Sequence, residues 1–117
     1  MIANKPLQEK SYIFALSIVA LCKHLVDCKE FVLSKQLLKS GTSIGANIEE
    51  AQHAESRKDF ISKLSVSLKE AYESRFWLRL LHDSYPTIQA RTEILLIEIN
   101  NIIPILIKSL KTAKSKL

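Results

Sequence analysis

The sequence predicts an all-α protein, folded as an antiparallel up-down-up-down four-helix bundle. Apolar residues recur every three or four positions through four long stretches, which is the spacing of amphipathic helices. The 117 residues include only 2 glycines and 3 prolines, too few for a turn-rich β protein. The links between the four stretches are short, and short links join antiparallel neighbours in a bundle. At this length we expect a single domain over residues 1–117.

The first helix is predicted over residues 6–27 and the second over residues 31–54. Asp27 and Glu30 have the spacing of an N-cap and an acid at the third helical position, so we expect a short connection near these residues. Ser34 is an alternative cap for the second helix. The apolar stripe of the first helix consists of Leu7, Phe14, Ile18, Leu21 and Leu25.

The second helix contains both glycines of the chain, Gly41 and Gly45, which lie four residues apart. A glycine inside a helix costs about 1 kcal/mol relative to alanine, so close backbone packing is the natural reason for the pair. A loop at residues 40–43 is the alternative, because clusters of small polar residues mark turns. The inward-facing positions of this helix form a seam whose coiled-coil-like spacing of three and four residues continues through residues 40–43, which favours a continuous helix. The seam consists of Leu37, Gly41, Ile44, Ile48 and Ala51.

The third helix is predicted over residues 58–83, because Ser56 precedes it as a cap and Asp59 follows three residues later. An antiparallel hairpin of the second and third helices places small residues opposite small ones and large opposite large, which allows close approach. The register pairs Gly41 with Ala71, Ile44 with Leu68 and Ile48 with Leu64. The predicted helix-packing residues are Gly41, Ile44, Gly45, Ile48, Leu64, Leu68 and Ala71.

The fourth helix is predicted over residues 87–114, with Pro86 suited to its first turn. Its apolar residues cover much more than the stripe of about 100° that a four-helix core requires. We therefore expect the surplus face to pack against another subunit. Pro104 should kink this helix or free the carbonyl of Asn100. The surplus face consists of Ile94, Ile97, Ile103, Ile105, Ile107 and Leu110.

The runs 36–51, 56–60 and 67–74, together with Trp77 and Leu78, resemble the signature of a bacterial protein family. This is the 23S rRNA intervening-sequence protein family, called S23, and the resemblance covers nearly the whole chain. It implies an antiparallel four-helix bundle that assembles as a ring-like homopentamer. A related branch is the accessory protein of diversity-generating retroelements, which associates with a reverse transcriptase and nucleic acid. Most members have no established molecular function.

No catalytic, cofactor or metal site is predicted. Glu50 and His53 have the Glu-x-x-His spacing of a di-metal bundle, but such a site needs a second pair on a facing helix. The seam also assigns the inward positions to Ile48 and Ala51. We expect Glu50 instead to form a solvated ion pair with Lys63, its partner in the hairpin register.

The sequence predicts a cytoplasmic protein. No secretory signal pattern is present at the N-terminus. The longest apolar concentration, residues 94–110, is interrupted by polar residues and Pro104, so it does not read as a membrane span. Cys22 and Cys28 do not have the spacing of a metal or redox motif, and we expect two reduced thiols.

Most of the net charge of +5 lies at the C-terminus, because no acid follows Glu98. The four lysines after it form either a solubilising helix end or a surface that recruits an anionic partner such as RNA. The predicted nucleic-acid contacts are Lys35, Lys39, Arg57, Lys58, Lys63, Lys108, Lys111 and Lys114.

The function predicted is a non-enzymatic oligomeric scaffold or adaptor. Its partners would be copies of itself, and RNA or an RNA-handling protein bound through basic outer surfaces. The alternative is a protein-only interaction partner, similar to a retroelement accessory subunit, without direct contact to nucleic acid. Any binding to nucleic acid would be directed at the backbone, because no sequence-reading motif is present.

Overall fold

The fold is seen in a computed structural model that describes residues 4–117. Four helices follow one another: α1 (Lys5–Asp27), α2 (Phe31–Ala51), α3 (Arg57–Ser84) and α4 (Gln89–Ser115), with a 3-10 turn (Pro86–Ile88) before α4. No strand occurs in this part of the chain. Each helix packs against the next and α4 returns beside α1, which produces a rod of 46 × 20 × 19 Å.

One apolar core runs the length of the rod and receives side chains from all four helices. Phe14 and Ile18 of α1, Ile44 of α2, Leu64 of α3 and Ile99 of α4 are completely shielded from solvent. Burial of these stripes is the main stabilising contribution to a bundle of this kind. None of the helices in residues 4–117 has the length and apolarity needed to cross a membrane.

Buried serines join α2 to α3. Ser74 Oγ donates a hydrogen bond to Ser40 Oγ at 2.9 Å, and Ser67 Oγ donates to the carbonyl of Ile44 at the same distance. From Ser40 to Ile44 along α2, the partner on α3 moves backward from Ser74 to Ser67. The two helices are therefore antiparallel, in the register that the sequence predicts. Both α3 hydroxyl groups thus have hydrogen-bond acceptors on α2, as buried polar groups require.

Two predictions about this hairpin have different outcomes. Lys63 Nζ lies 3.7 Å from Glu50 Oε1, which confirms the predicted ion pair. Leu68, which we expected to face Ile44, is half-buried against the core, and the neighbouring Ser67 donates a hydrogen bond to the Ile44 carbonyl. The register is therefore correct to within one residue.

The two glycines of α2 face α1, whereas the prediction placed Gly41 against Ala71 of α3. A Cβ atom added to Gly41 would lie 2.9 Å from both Cγ1 and Cγ2 of Ile18. A Cβ added to Gly45 would lie 3.5 Å from the carbonyl and hydroxyl oxygens of Ser11, which is ordinary contact. Ala71 is buried, but the side chain that leaves no room for a Cβ at position 41 belongs to α1.

The connection from α1 to α2 is a Schellman motif built without glycine. The N–H of Glu30 donates to the Leu25 carbonyl at 2.8 Å, and that of Lys29 donates to the Val26 carbonyl at 2.9 Å. Lys29 accordingly has a φ of 65°, a left-handed conformation that glycine usually supplies. The sequence predicts a short connection here, but a lysine gives no signal for the left-handed conformation.

Glu30 is itself the N-cap of α2, and its carboxylate also reaches the next connection. Its Oε1 accepts from the N–H groups of Val32 and Leu33, and its Oε2 accepts from the hydroxyl of Tyr85. Ser34, the alternative cap, is buried inside α2. Glu30 therefore ties the α1–α2 connection to the α3–α4 connection at one end of the rod.

The other helix boundaries differ from the prediction by a few residues. Helix α2 ends at Ala51 rather than near residue 54, because the next three N–H groups donate to carbonyls three residues back and form a tight turn. The predicted cap of α3 is confirmed, since Ser56 Oγ accepts from the N–H of Asp59 at 3.0 Å. Helix α4 begins only at Gln89, because Pro86 starts the 3-10 turn instead.

The surplus apolar face of α4 is narrower than predicted. Ile103 and Leu110 are buried in the core, whereas Ile94, Ile97 and Ile107 are exposed. Helix α4 passes through Pro104 without interruption. The unpaired apolar surface is thus confined to a few positions of this helix.

Candidate nucleic-acid interface

A groove of about 590 Å³ lies at the end of the rod where α1 and α3 begin and α4 ends. Three cationic side chains line it: Arg57, the first residue of α3, and Lys108 and Lys116 near the end of α4. None of the described residues that line this groove is a carboxylate. A concave surface with one sign of charge concentrates ligands of the opposite charge. We call this surface the basic groove.

The N-termini of α1 and α3 and the C-terminus of α4 meet at the basic groove. Asn4, which lines the groove, caps α1 by accepting from the N–H of Leu7 at 3.4 Å, and Arg57 follows the cap of α3. A helix N-terminus carries about half a positive charge and a C-terminus about half a negative one, so these ends partly offset one another and the positive potential comes mainly from the cationic side chains. Asp59 in the first turn of α3 lines a different cavity, and its carboxylate accepts from the N–H of Glu55 at 3.1 Å.

The floor of the basic groove is apolar and belongs to the core. Phe60 and Ala113 are only 5% and 4% exposed, and Ile105 is half-buried against the same cluster. The hydroxyl groups of Ser109 and Thr112 also line the groove and provide neutral hydrogen-bond donors. The groove can therefore hold both an anionic group and a flat or apolar one.

The structure brings together only some of the predicted nucleic-acid contacts. Arg57 and Lys108 line the basic groove, while Lys58, Lys111 and Lys114 are exposed nearby without lining it. Two further residues line the groove: Lys116, which the sequence indicated only as one of the four C-terminal lysines, and Asn4, which was not predicted. Pairing the first residues of α1 with the last turns of α4, as antiparallel helices require, could have identified both.

The remaining predicted contacts are separate from the groove. Lys63 is held by Glu50, as described above. Lys39 lies close enough to Glu70 to oppose the rise that burial causes in the pKa of that carboxyl. Lys35 lines a groove between α1 and α2. Acidic neighbours make the first two weaker candidates for phosphate binding.

The groove between α1 and α2 has a different character. It encloses about 540 Å³ and is lined largely by apolar side chains, among them Val26, Phe31 and Leu38. Cys22 lies at its side, where burial raises the pKa of the thiol to about 11. Its Sγ donates to the carbonyl of Ser34 at 3.4 Å. A thiol with so high a pKa is a structural group rather than a nucleophile.

The acidic residues near the α2–α3 turn surround a shallow cavity of about 470 Å³ together with His53 and Lys63. Over residues 4–117, no three histidine, cysteine or acidic side chains converge where they could hold a metal ion. The acidic members of this cavity are Glu49, Glu50, Glu55 and Asp59.

Two buried polar atoms within the described chain have no hydrogen-bond partner, Trp77 Nε1 and Glu98 Oε2. Burial raises the pKa of the Glu98 carboxyl. Both side chains are neighbours of exposed apolar residues, Phe76 beside Trp77 and Ile97 beside Glu98.

Comparison with known proteins places this chain in a family. A crystal structure from Bacteroides thetaiotaomicron VPI-5482, described as a protein with unknown function from the S23 ribosomal protein family, is 48% identical in sequence. The similarity covers 90% of this chain and 98% of that one, with a TM-score of 0.86. No curated protein matches significantly. The profile of the 23S rRNA-intervening sequence protein family matches residues 5–108, so the chain belongs to that family.

Proposed function

We propose that this protein is a non-enzymatic, self-associating scaffold or adaptor that contacts RNA through the basic groove. The observation that carries the proposal is the grouping of Arg57, Lys108 and Lys116 around one groove without a lining carboxylate. Such a surface attracts the phosphate backbone and carries no means of reading base sequence, so binding would depend on structure and charge.

The chemistry of the basic groove supports binding rather than catalysis. Its ionisable side chains are arginine and lysine, which are cations at neutral pH, and its other polar groups are hydroxyls and an amide. A general acid or base must exchange a proton near the working pH, and arginine does not do so. These groups can hold and orient a phosphate.

Self-association is supported by the outer face of α1. Five large apolar side chains on this helix are at least 36% exposed, and the α1–α2 groove extends the surface to Phe31 and Leu38. Exposed apolar surface of this extent marks interaction sites. The exposed residues of α1 are Tyr12, Ile13, Leu16, Val19 and Val26.

The ring-like homopentamer implied by the family resemblance would strengthen RNA binding through the basic grooves. In a cyclic assembly every subunit has the same orientation relative to the axis, so all grooves lie at the same level. Weak contacts from several subunits to one RNA then add by avidity. Light scattering at micromolar concentration should give a mass of five 13.3 kDa subunits. A monomer under these conditions would contradict self-association.

Binding to a structured RNA, measured by gel shift at about 50 mM salt and again at higher salt, tests the RNA contact. We expect affinity to fall steeply with salt. Arg57→Gln and Lys108→Gln should each reduce the slope of log affinity against log salt by roughly one. The matched controls are Lys58→Gln and Lys111→Gln, which remove the same charge outside the groove and should have smaller effects.

The second candidate function is that of a protein-only partner, comparable to a retroelement accessory subunit. The exposed apolar face of α1 favours a contact with another protein. Absence of RNA binding at low salt, in a protein that still self-associates, would select this alternative over the adaptor.

A further inference from the structure

We infer that the basic groove binds a terminal nucleoside phosphate, meaning a phosphomonoester attached to a nucleoside, rather than the interior of a nucleic-acid backbone. The end of an RNA chain and a free nucleotide both present this chemistry. If the ligand is the end of an RNA chain, the inference rests on the proposed function. If the ligand is a free nucleotide, it does not. Charge, shape and the placement of the donors each support the inference.

The charge of the basic groove exceeds what one internal phosphate needs. An internal phosphodiester carries a single negative charge, whereas a phosphomonoester carries between about 1.5 and 2 at neutral pH. Arg57, Lys108 and Lys116 all line one cavity, with no lining carboxylate to offset them.

The shape of the basic groove suits a compact ligand. Its volume of about 590 Å³ falls within the range of about 300–1,000 Å³ that small-molecule sites occupy. Its floor is formed by apolar side chains, including Phe60 and Ile105, which can contact a base or ribose. A surface that follows an extended strand is instead a long charged track with exposed aromatic platforms.

The donors in the basic groove come from three separate helix ends. Arg57 lines the groove from the first position of α3, and a guanidinium has the fork geometry that binds two phosphate oxygens. Lys108 and Thr112 lie one turn apart on α4, and Asn4 precedes α1. Donors that converge from different elements can surround a terminal phosphate, which exposes three oxygens, better than an internal one, which exposes two.

Fluorescence anisotropy with two labelled oligoribonucleotides tests the inference on the full chain. One carries a 5′-phosphate; the other has a 5′-hydroxyl and is two nucleotides longer, so that the net charges are equal. We expect the phosphorylated RNA to bind roughly tenfold more tightly, which corresponds to one charge-assisted contact. A nucleoside 5′-monophosphate should compete with it, and the corresponding nucleoside should not.

Variants assign this preference to the groove. Arg57→Gln and Lys108→Gln should abolish the preference for the terminal phosphate, whereas Lys58→Gln and Lys111→Gln should retain it. Equal affinity for the two RNAs would overturn the inference and leave RNA binding itself intact. Binding of the monophosphate without binding of either RNA would support the groove as a nucleotide site and remove the RNA adaptor. Binding of neither ligand would overturn both proposals.

Discussion

The middle of the bundle and its basic end differ in how closely the helices pack. In the middle, a Cβ on Gly41 would lie 2.9 Å from Ile18, and Ser40 bonds directly to Ser74. At the basic end the helices leave a groove of about 590 Å³. Small residues in the middle therefore determine how close the helices approach, and cations at the end line the space that remains open.

This difference in packing separates the residues that stabilise the fold from those that are available to bind a ligand. Interdigitated layers tolerate little change in volume, so substitutions there affect the free energy of unfolding. Side chains at the ends of helices have solvent on one side, so they can be altered at little cost to the fold. The following predictions test this division, from the largest expected effect to the smallest.

Gly41→Leu should lower the free energy of unfolding by about 1–3 kcal/mol, because the added side chain must displace Ile18 from a packed layer. Ile18 is completely buried and β-branched, so it has few alternative rotamers. Urea denaturation followed by circular dichroism measures the change. An unaltered midpoint and slope would show that the middle layer is not tightly packed.

Gly45→Ala adds a single methyl group one helical turn later and should have the opposite sign. Its Cβ would meet Ser11 at 3.5 Å, an ordinary contact, so the gain in helix propensity of up to about 1 kcal/mol should be retained. The same denaturation experiment applies. A loss of stability as large as that of Gly41→Leu would show that both glycines are equally constrained.

Glu30, at the end of the rod opposite the basic groove, should contribute a stability that depends on pH. Hydrogen bonds from the hydroxyl of Tyr85 and from the backbone of Leu33 and Val32 lower the pKa of Glu30. A lowered carboxyl pKa in the folded state stabilises the fold above the unfolded pKa of about 4.3, and this contribution is lost as pH falls through the folded value.

The same contact raises the pKa of Tyr85, because the hydroxyl donates to Glu30. This contribution is complete below the unfolded tyrosine pKa of about 10 and is lost as pH rises through the folded value. The difference in stability between wild type and Glu30→Gln should thus be level between about pH 5 and 9 and shrink on either side. Burial raises the pKa values of Glu70 and Glu98, so their contribution to the free energy of unfolding increases as the pH falls. Both groups remain in the variant, so this contribution cancels in the difference. A difference that does not vary with pH would exclude the contact.

Arg57→Gln combined with Lys108→Gln should change the free energy of unfolding least, by no more than about 0.5 kcal/mol. Neither side chain has a salt bridge in the described structure, and Lys108 is exposed. Thermal unfolding of the double variant beside wild type measures this. A large loss of stability would mean that the two cations hold the helix ends together, and the contrast with the middle layer would fail.

Much of the fold could be predicted because the decisive signals are local. The cap formed by Ser56 follows from neighbouring residues, and the Glu50–Lys63 pair follows from the register of one hairpin. The short connection between α1 and α2 was also predicted, but the left-handed conformation of Lys29 was not, because lysine gives no sequence signal for it. The contact between Glu30 and Tyr85 joins two connections 55 residues apart, which no local pattern reveals.

The sequence by itself determined four amphipathic helices, the antiparallel pairing of α2 with α3, and the need for close approach at Gly41. Only the tertiary structure decided that Ile18 of α1 is what approaches Gly41, and that Arg57, Lys108 and Lys116 share one groove. The physical reason is that periodicity specifies which face of a helix is buried, whereas the neighbour of that face depends on how all four helices pack. The basic groove depends on this packing, since its residues come from helix ends that are distant in the chain.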